Sequence, residues 1–134
     1  MTITNLNRAA SLALILAFSA LCVGCASSPT LRVPIRLNSS AEIVVVRASA
    51  HMKPDGVVVA GDVRRPNFYA GVVPGYLLVI GRDNSGHVIA MTNAPWGEFN
   101  SRRFRLAYFK AFLGTTNPRA ISTISVEPMT GMRL

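Results

Sequence analysis

The chain has 134 residues, half of them hydrophobic, with 14 basic side chains against 6 acidic ones and a net charge of +8. A single domain is the natural count at that length. The composition excludes an acidic disordered chain, a disulfide-dense mini-protein and a multi-span membrane protein.

Residues 1–25 differ in kind from the rest. They hold 17 of the 67 hydrophobic residues and a single charge, Arg8. Ala9 to Gly24 is an apolar and small-residue run, closer to the roughly 7–15 residues of a secretory h-region than to the ~20 of a membrane-spanning helix. Small polar residues and Pro29 follow it, and proline interrupts a helix. These residues are read as an N-terminal signal helix that is not part of the folded domain.

The run ends Leu21-Cys22-Val23-Gly24-Cys25-Ala26-Ser27. It resembles the lipobox of bacterial lipoproteins, with Gly24 as the small residue before the cysteine and Leu21 one step earlier than the pattern places its leucine. The resemblance implies that Cys25 becomes the lipidated first residue of the mature chain, whereas ordinary cleavage near Ala26 would leave no lipid. It also implies an outer-membrane location facing the periplasm, because Ala26 stands where an aspartate would retain the protein at the inner membrane. Several acyl chains are needed for stable anchoring, and a lipidated Cys25 would supply them. With Cys22 removed and Cys25 modified, no cysteine remains downstream for a disulfide, a thiol catalyst or a thiolate metal site.

Residues 26–41 carry Ser, Pro and Asn among isolated apolar residues and are read as a flexible tether. From Glu42 onward β-branched clusters alternate with turn residues. Residues 43–50 and 57–63 are expected to form a hairpin around Pro54-Asp55-Gly56. Tyr76 to Ile80 gives a third strand, Asp83-Asn84-Ser85-Gly86 a turn, and His87 to Thr92 a fourth strand. Phe104 to Leu113 fits two periods. Phe104, Ala107, Tyr108, Ala111 and Phe112 make a helical stripe, while Phe104, Leu106 and Tyr108 alternate as the inward side of a strand. The strand is favoured, because Arg102, Arg103 and Arg105 would crowd positive charge into the first turn of a helix. Ile121 to Val126 is the last strand, and residues 130–134 are a C-terminal tail.

Short strands at this spacing predict a mainly β fold, a single antiparallel β-sandwich of Ig-like or transthyretin-like type over residues 42–129. The span from Gly61-Asp62-Val63-Arg64-Arg65 through Gly75-Tyr76-Leu77-Leu78-Val79 to Asp83-Asn84-Ser85-Gly86 is similar to Ig-like bacterial envelope domains. That similarity implies the fold and no functional residue.

The chemistry-bearing inventory is short. There is no H-E-x-x-H, G-x-S-x-G, P-loop or G-x-G-x-x-G motif. No catalytic residue, metal site or cofactor is assigned. An alternative, a small periplasmic metal-handling protein or hydrolase, would use His51, His87 and Asp62, which requires the three to meet in the fold.

Arginine is the stronger signal. Residues 26–134 keep 13 basic side chains against 6 acidic, and 11 of the 13 are arginine. Arg64 and Arg65 precede one loop, while Arg102, Arg103 and Arg105 follow the loop that holds Trp96 and Phe99. Together they are expected to form a cationic rim with exposed aromatics, suited to phosphates or carboxylates. The same residues also fit a solvated basic surface whose arginine stems cover the sheet. The expected function is a non-enzymatic, membrane-anchored envelope lipoprotein, a binding or structural module. Its partners would be the membrane, through the lipid anchor, and an envelope protein or anionic polymer rather than nucleic acid.

Overall fold

A computed structural model describes residues 28–66, 73–97, 99 and 106–131. Seven strands build it: β1 (Ile35–Leu37), β2 (Val44–Lys53), β3 (Gly56–Arg64), β4 (Gly75–Arg82), β5 (Val88–Ala94), β6 (Leu106–Gly114) and β7 (Thr123–Thr130). A single 3-10 turn at Pro118–Ala120 leads into β7. The strands form two sheets, ordered β1-β7-β4-β5 and β2-β3-β6. The expected mainly β sandwich is therefore the observed architecture. The expected signal segment, residues 1–25, and with it Cys25, lies outside the described residues.

Alternation of side chains across each strand explains the layering. In β3, Val57, Val59 and Val63 are fully buried, while Val58, Ala60 and Asp62 between them are only partly covered. Leu77 and Val79 of β4, together with Ile124 and Val126 of β7, close the core from the other sheet. Each such aliphatic side chain contributes about 1.5–3 kcal/mol on burial. No polar or charged residue is fully buried among those described. The sandwich stands on apolar packing and its ladders.

The β2–β3 hairpin is longer than the sequence clusters suggest and turns through Pro54 and Asp55. Its pairing shifts between Val45 and Arg47, a bulge that places Arg47 opposite Asp62. Such a bulge locally bends and twists a strand and re-aims its side chains.

Two expectations need correction. The span read as a tether is built into the sandwich over part of its length. The Leu31 N–H donates to the Ala50 carbonyl at 2.8 Å, and the Met52 N–H donates to that of Pro29 at 2.9 Å. β1 then pairs with β7, and it does so in parallel, within sheets expected to be wholly antiparallel. Leu31, Val33 and Ile35 pack on the core, which explains why residues with little visible period are nevertheless ordered into the domain.

The second correction concerns β6. The segment is a strand, but its phase is opposite to the one expected. Ala107, Phe109, Ala111 and Leu113 point inward, and Tyr108, Lys110 and Phe112 point to solvent. The ladder to β3 sets this, since Val59 pairs with Ala111 and Val63 with Ala107. Both β3 residues face the core, so their partners must. The small alanines leave room for Phe109 between the sheets, and the reversal exposes Lys110 rather than burying its charge.

Candidate functional site

The reversed phase of β6 lines a shallow groove of about 540 Å³ on the outer face of the β2-β3-β6 sheet. Register defines its floor as rows running across the three strands. Arg47, Asp62 and Tyr108 form one row, Ser49, Ala60 and Lys110 the next, and His51, Val58 and Phe112 a third. Lys53 follows at the hairpin end, beside Gly56 and Gly114. Ala60, the small outward residue at the middle of the central strand, keeps the floor low between the longer side chains of the outer two.

The electrostatics of this face are one-sided. Arg47, Lys53 and Lys110 line the groove with a single acid, Asp62. The Arg47 guanidinium already engages that acid through Nε. Lys53 Nζ donates to Ser28 Oγ at 2.5 Å, which ties the start of the described chain to the same face. Tyr108 and Phe112 are 59% and 45% exposed, large aromatic surfaces set on either side of Lys110. Cations interleaved with exposed rings can hold a negatively charged group and cover the apolar or sugar-like body that carries it.

Of the expected arginine rim, the structure describes two members. Arg64 ends β3 on this same outer face, in register with Val44 and Leu106, and is exposed. The Arg65 guanidinium sits 5.7 Å from the centroid of the Phe99 ring, a cation–π contact that brings the two loops of the expected rim together. Arg102, Arg103 and Arg105 lie outside the described residues. The aromatics of that rim are not exposed, however. Trp96 and Phe99 are partly buried against the core, and the Trp96 indole N–H donates to the Val73 carbonyl at 3.2 Å. Rings of that size in the loops serve to close the end of the core, and the exposed aromatic surface comes from β6 instead.

The structure does not bring His51, His87 and Asp62 together. His51 pairs with Val58, four residues from Asp62 and so roughly 13 Å along the strand. His87 lies in the turn between β4 and β5, with Nδ1 3.6 Å from Asp83 Oδ2. No group of three or more His, Cys, Asp or Glu able to hold a metal occurs among the described residues.

The opposite outer face, on the β1-β7-β4-β5 sheet, has another character. Val88 and Met91 of β5 are exposed there, and the charges are Arg36, Arg82 and Glu127. No helix among the described residues is long and apolar enough to cross a membrane.

Arg47, Lys53, Lys110, Tyr108 and Phe112 are the residues that sequence reasoning missed. Lys110 and the two rings were hidden by the phase of β6. The signal that could have found them is the alternation of alanine with larger residues from Ala107 to Ala111, which marks the side of a strand packed against a neighbouring sheet. No protein-family model, curated protein or solved structure matches this chain, so the functional reading rests on this surface and on the lipobox-like residues of the sequence.

Proposed function

We propose that the protein is a non-enzymatic, membrane-anchored lipoprotein of the cell envelope whose sandwich binds an anionic envelope component on the outer face of the β2-β3-β6 sheet. One observation carries the binding reading: Arg47, Lys53 and Lys110 share a groove with exposed Tyr108, Phe112 stands exposed on the same sheet face, and the one acid in the groove is held by Arg47. The lipoprotein reading draws on the lipobox-like residues Leu21 to Cys25. Anionic groups of an envelope, phosphates and carboxylates, suit a site built from cations without a catalytic pair.

The test uses the full chain in neutral detergent, titrated with dextran sulfate while ionic strength is raised. Binding is expected to weaken with salt, because exposed charges are screened beyond roughly 10 Å at 0.1 M. Lys53→Gln with Lys110→Gln should weaken it about thirty-fold, at ~1 kcal/mol for each charge near the bound polyanion. Unchanged affinity in that pair of substitutions sinks the groove. Replacing Arg64, Arg65, Arg102, Arg103 and Arg105 by glutamine, with the groove lysines intact, measures what the loop arginines add. Incorporation of labelled fatty acid in wild type and its loss in Cys25→Ala tests the anchor.

A further inference from the structure

We infer that the face formed by β2, β3 and β6 is the membrane-apposed side of the domain, and that the anionic groups it meets are the lipid phosphates of the bilayer holding Cys25. The inference rests on the lipoprotein reading above and fixes what that reading leaves open, namely which surface the anchor turns toward the membrane.

The first support is where the described chain begins. Ser28 lies on the outer face of the β2-β3-β6 sheet, bonded to Lys53 through its hydroxyl, and Thr30 bridges to His51 two residues later. Ser28 lies three residue steps from Cys25, and a chain of that length reaches at most about 11 Å. An acyl anchor on Cys25 is therefore confined to the neighbourhood of the Lys53 end of this sheet. Sheets in a sandwich lie about 10 Å apart, so the opposite face is screened from the anchor by the thickness of the domain.

A tether this short still permits two poses. The membrane could meet the outer face of the sheet, or it could meet the end of the sandwich where the β2–β3 turn lies. Charge separates them. That end gathers the β2–β3 turn with the β4–β5 turn and the 3-10 turn, since the Thr115 N–H donates to the Asp55 carbonyl and the Ser122 N–H to that of Arg82. It presents Asp55 and Asp83 against Arg82 and Arg119, a net of zero, with Lys53 at its border with the outer face. The outer face presents Arg47, Lys53, Arg64 and Lys110 against Asp62, a net of +3. An anionic bilayer therefore attracts the face more strongly than the end. Exposed Tyr108 and Phe112 add rings of the kind that rest at headgroup level.

The experiment places a fluorophore on Ser49→Cys, in the groove, or on Asn93→Cys, on the opposite face, in the full-length lipidated protein reconstituted into vesicles. Acrylamide, an uncharged quencher, reads exposure to water. In vesicles containing phosphatidylglycerol, the Ser49→Cys probe should be quenched several-fold less than in phosphatidylcholine vesicles, with the Asn93→Cys probe unchanged. The protection should vanish in about 1 M salt, where the screening length is ~3 Å, and in Lys53→Gln with Lys110→Gln. Equal quenching at the two positions in lipidated protein overturns the inference and leaves the lipoprotein reading standing. Protection that appears only on adding dextran sulfate also overturns it, by giving the face to a soluble polymer. Fatty-acid label that is absent, or equal in Cys25→Ala, overturns the lipoprotein reading itself.

Discussion

Arg47 and Asp62 lie opposite each other across the β2–β3 ladder, with the guanidinium Nε donating to the carboxylate. The partners are unequally placed: the Asp62 side chain is 14% exposed and that of Arg47 79%. The Asp62 side chain is thus mostly covered at the sheet surface, while the rest of the guanidinium faces solvent and retains N–H groups for a second acceptor. Asp62→Asn is expected to reduce stability by no more than about 1 kcal/mol, because a cross-strand ion pair with so exposed a partner is heavily screened. The same change removes the single acid from the groove. Dextran sulfate should bind about fivefold more tightly, at ~1 kcal/mol for one charge. Weaker binding in Asp62→Asn would mean that the carboxylate's main role is to aim Arg47.

The bulge that presents Arg47 depends on Gly61. A Cβ built at Gly61 would lie 1.9 Å from the Arg47 carbonyl oxygen and 2.8 Å from its carbon, and backbone cannot yield as a side chain can. Gly61→Ala is expected to cost about 1–3 kcal/mol, as overpacking does, and to weaken anion binding as Arg47 is displaced. Gly86 offers a control with a different cause. It has open space around it but a φ of +84°, so Gly86→Ala should cost about 1 kcal/mol through backbone conformation alone. Urea midpoints and dextran sulfate affinity together separate the two. A Gly61→Ala protein with wild-type affinity would detach the bulge from the site.

The legibility of this fold differs from strand to strand for physical reasons. The β2–β3 hairpin and the Asp83–Gly86 turn were readable because β-branched runs and turn residues act locally. Residues 29–37 were not, since their order comes from pairing with β2 and β7, elements far off in the sequence. The phase of β6 failed in a more instructive way. A strand's alternation shows that it has two sides but not which side is inward when both carry aromatics, and here Tyr108 and Phe109 are neighbours. Pairing with β3 decides it, and a one-residue slip transfers every side chain to the other face. The candidate groove was hidden by that single step. Of the expected arginines that are described, Arg64 and Arg65, it is Arg64 that lies on the groove's sheet face.

The phase of β6 gives a direct prediction. Phe109→Ala should destabilise the protein by about 3–5 kcal/mol, because Phe109 is among the largest fully buried side chains and its removal leaves a cavity between the sheets. Tyr108→Ala should cost less than ~1 kcal/mol and lower the affinity for dextran sulfate. Urea unfolding of the two variants checks the order. A Tyr108→Ala protein less stable than Phe109→Ala would restore the phase in which Tyr108 points inward.

The β4–β5 turn rests on the side chain of Asp83. Its Oδ1 accepts from the Ser85 N–H at 2.9 Å and the His87 N–H at 3.0 Å, while the backbone closes the turn by donation from Gly86 N–H to the Asp83 carbonyl at 3.1 Å. An aspartate that bonds the main chain just beyond it stabilises a turn in this way. Asp83→Ala removes both side-chain bonds, and at roughly 0.5–1.5 kcal/mol each the loss should be about 1–3 kcal/mol, with faster exchange of the Ser85 and His87 amides. Asp83→Asn keeps an oxygen in place and should retain most of that stability, since Oδ1 acts here as an acceptor. If asparagine and alanine instead cause equal losses, the negative charge beside His87, rather than the two accepted hydrogen bonds, is what holds the turn.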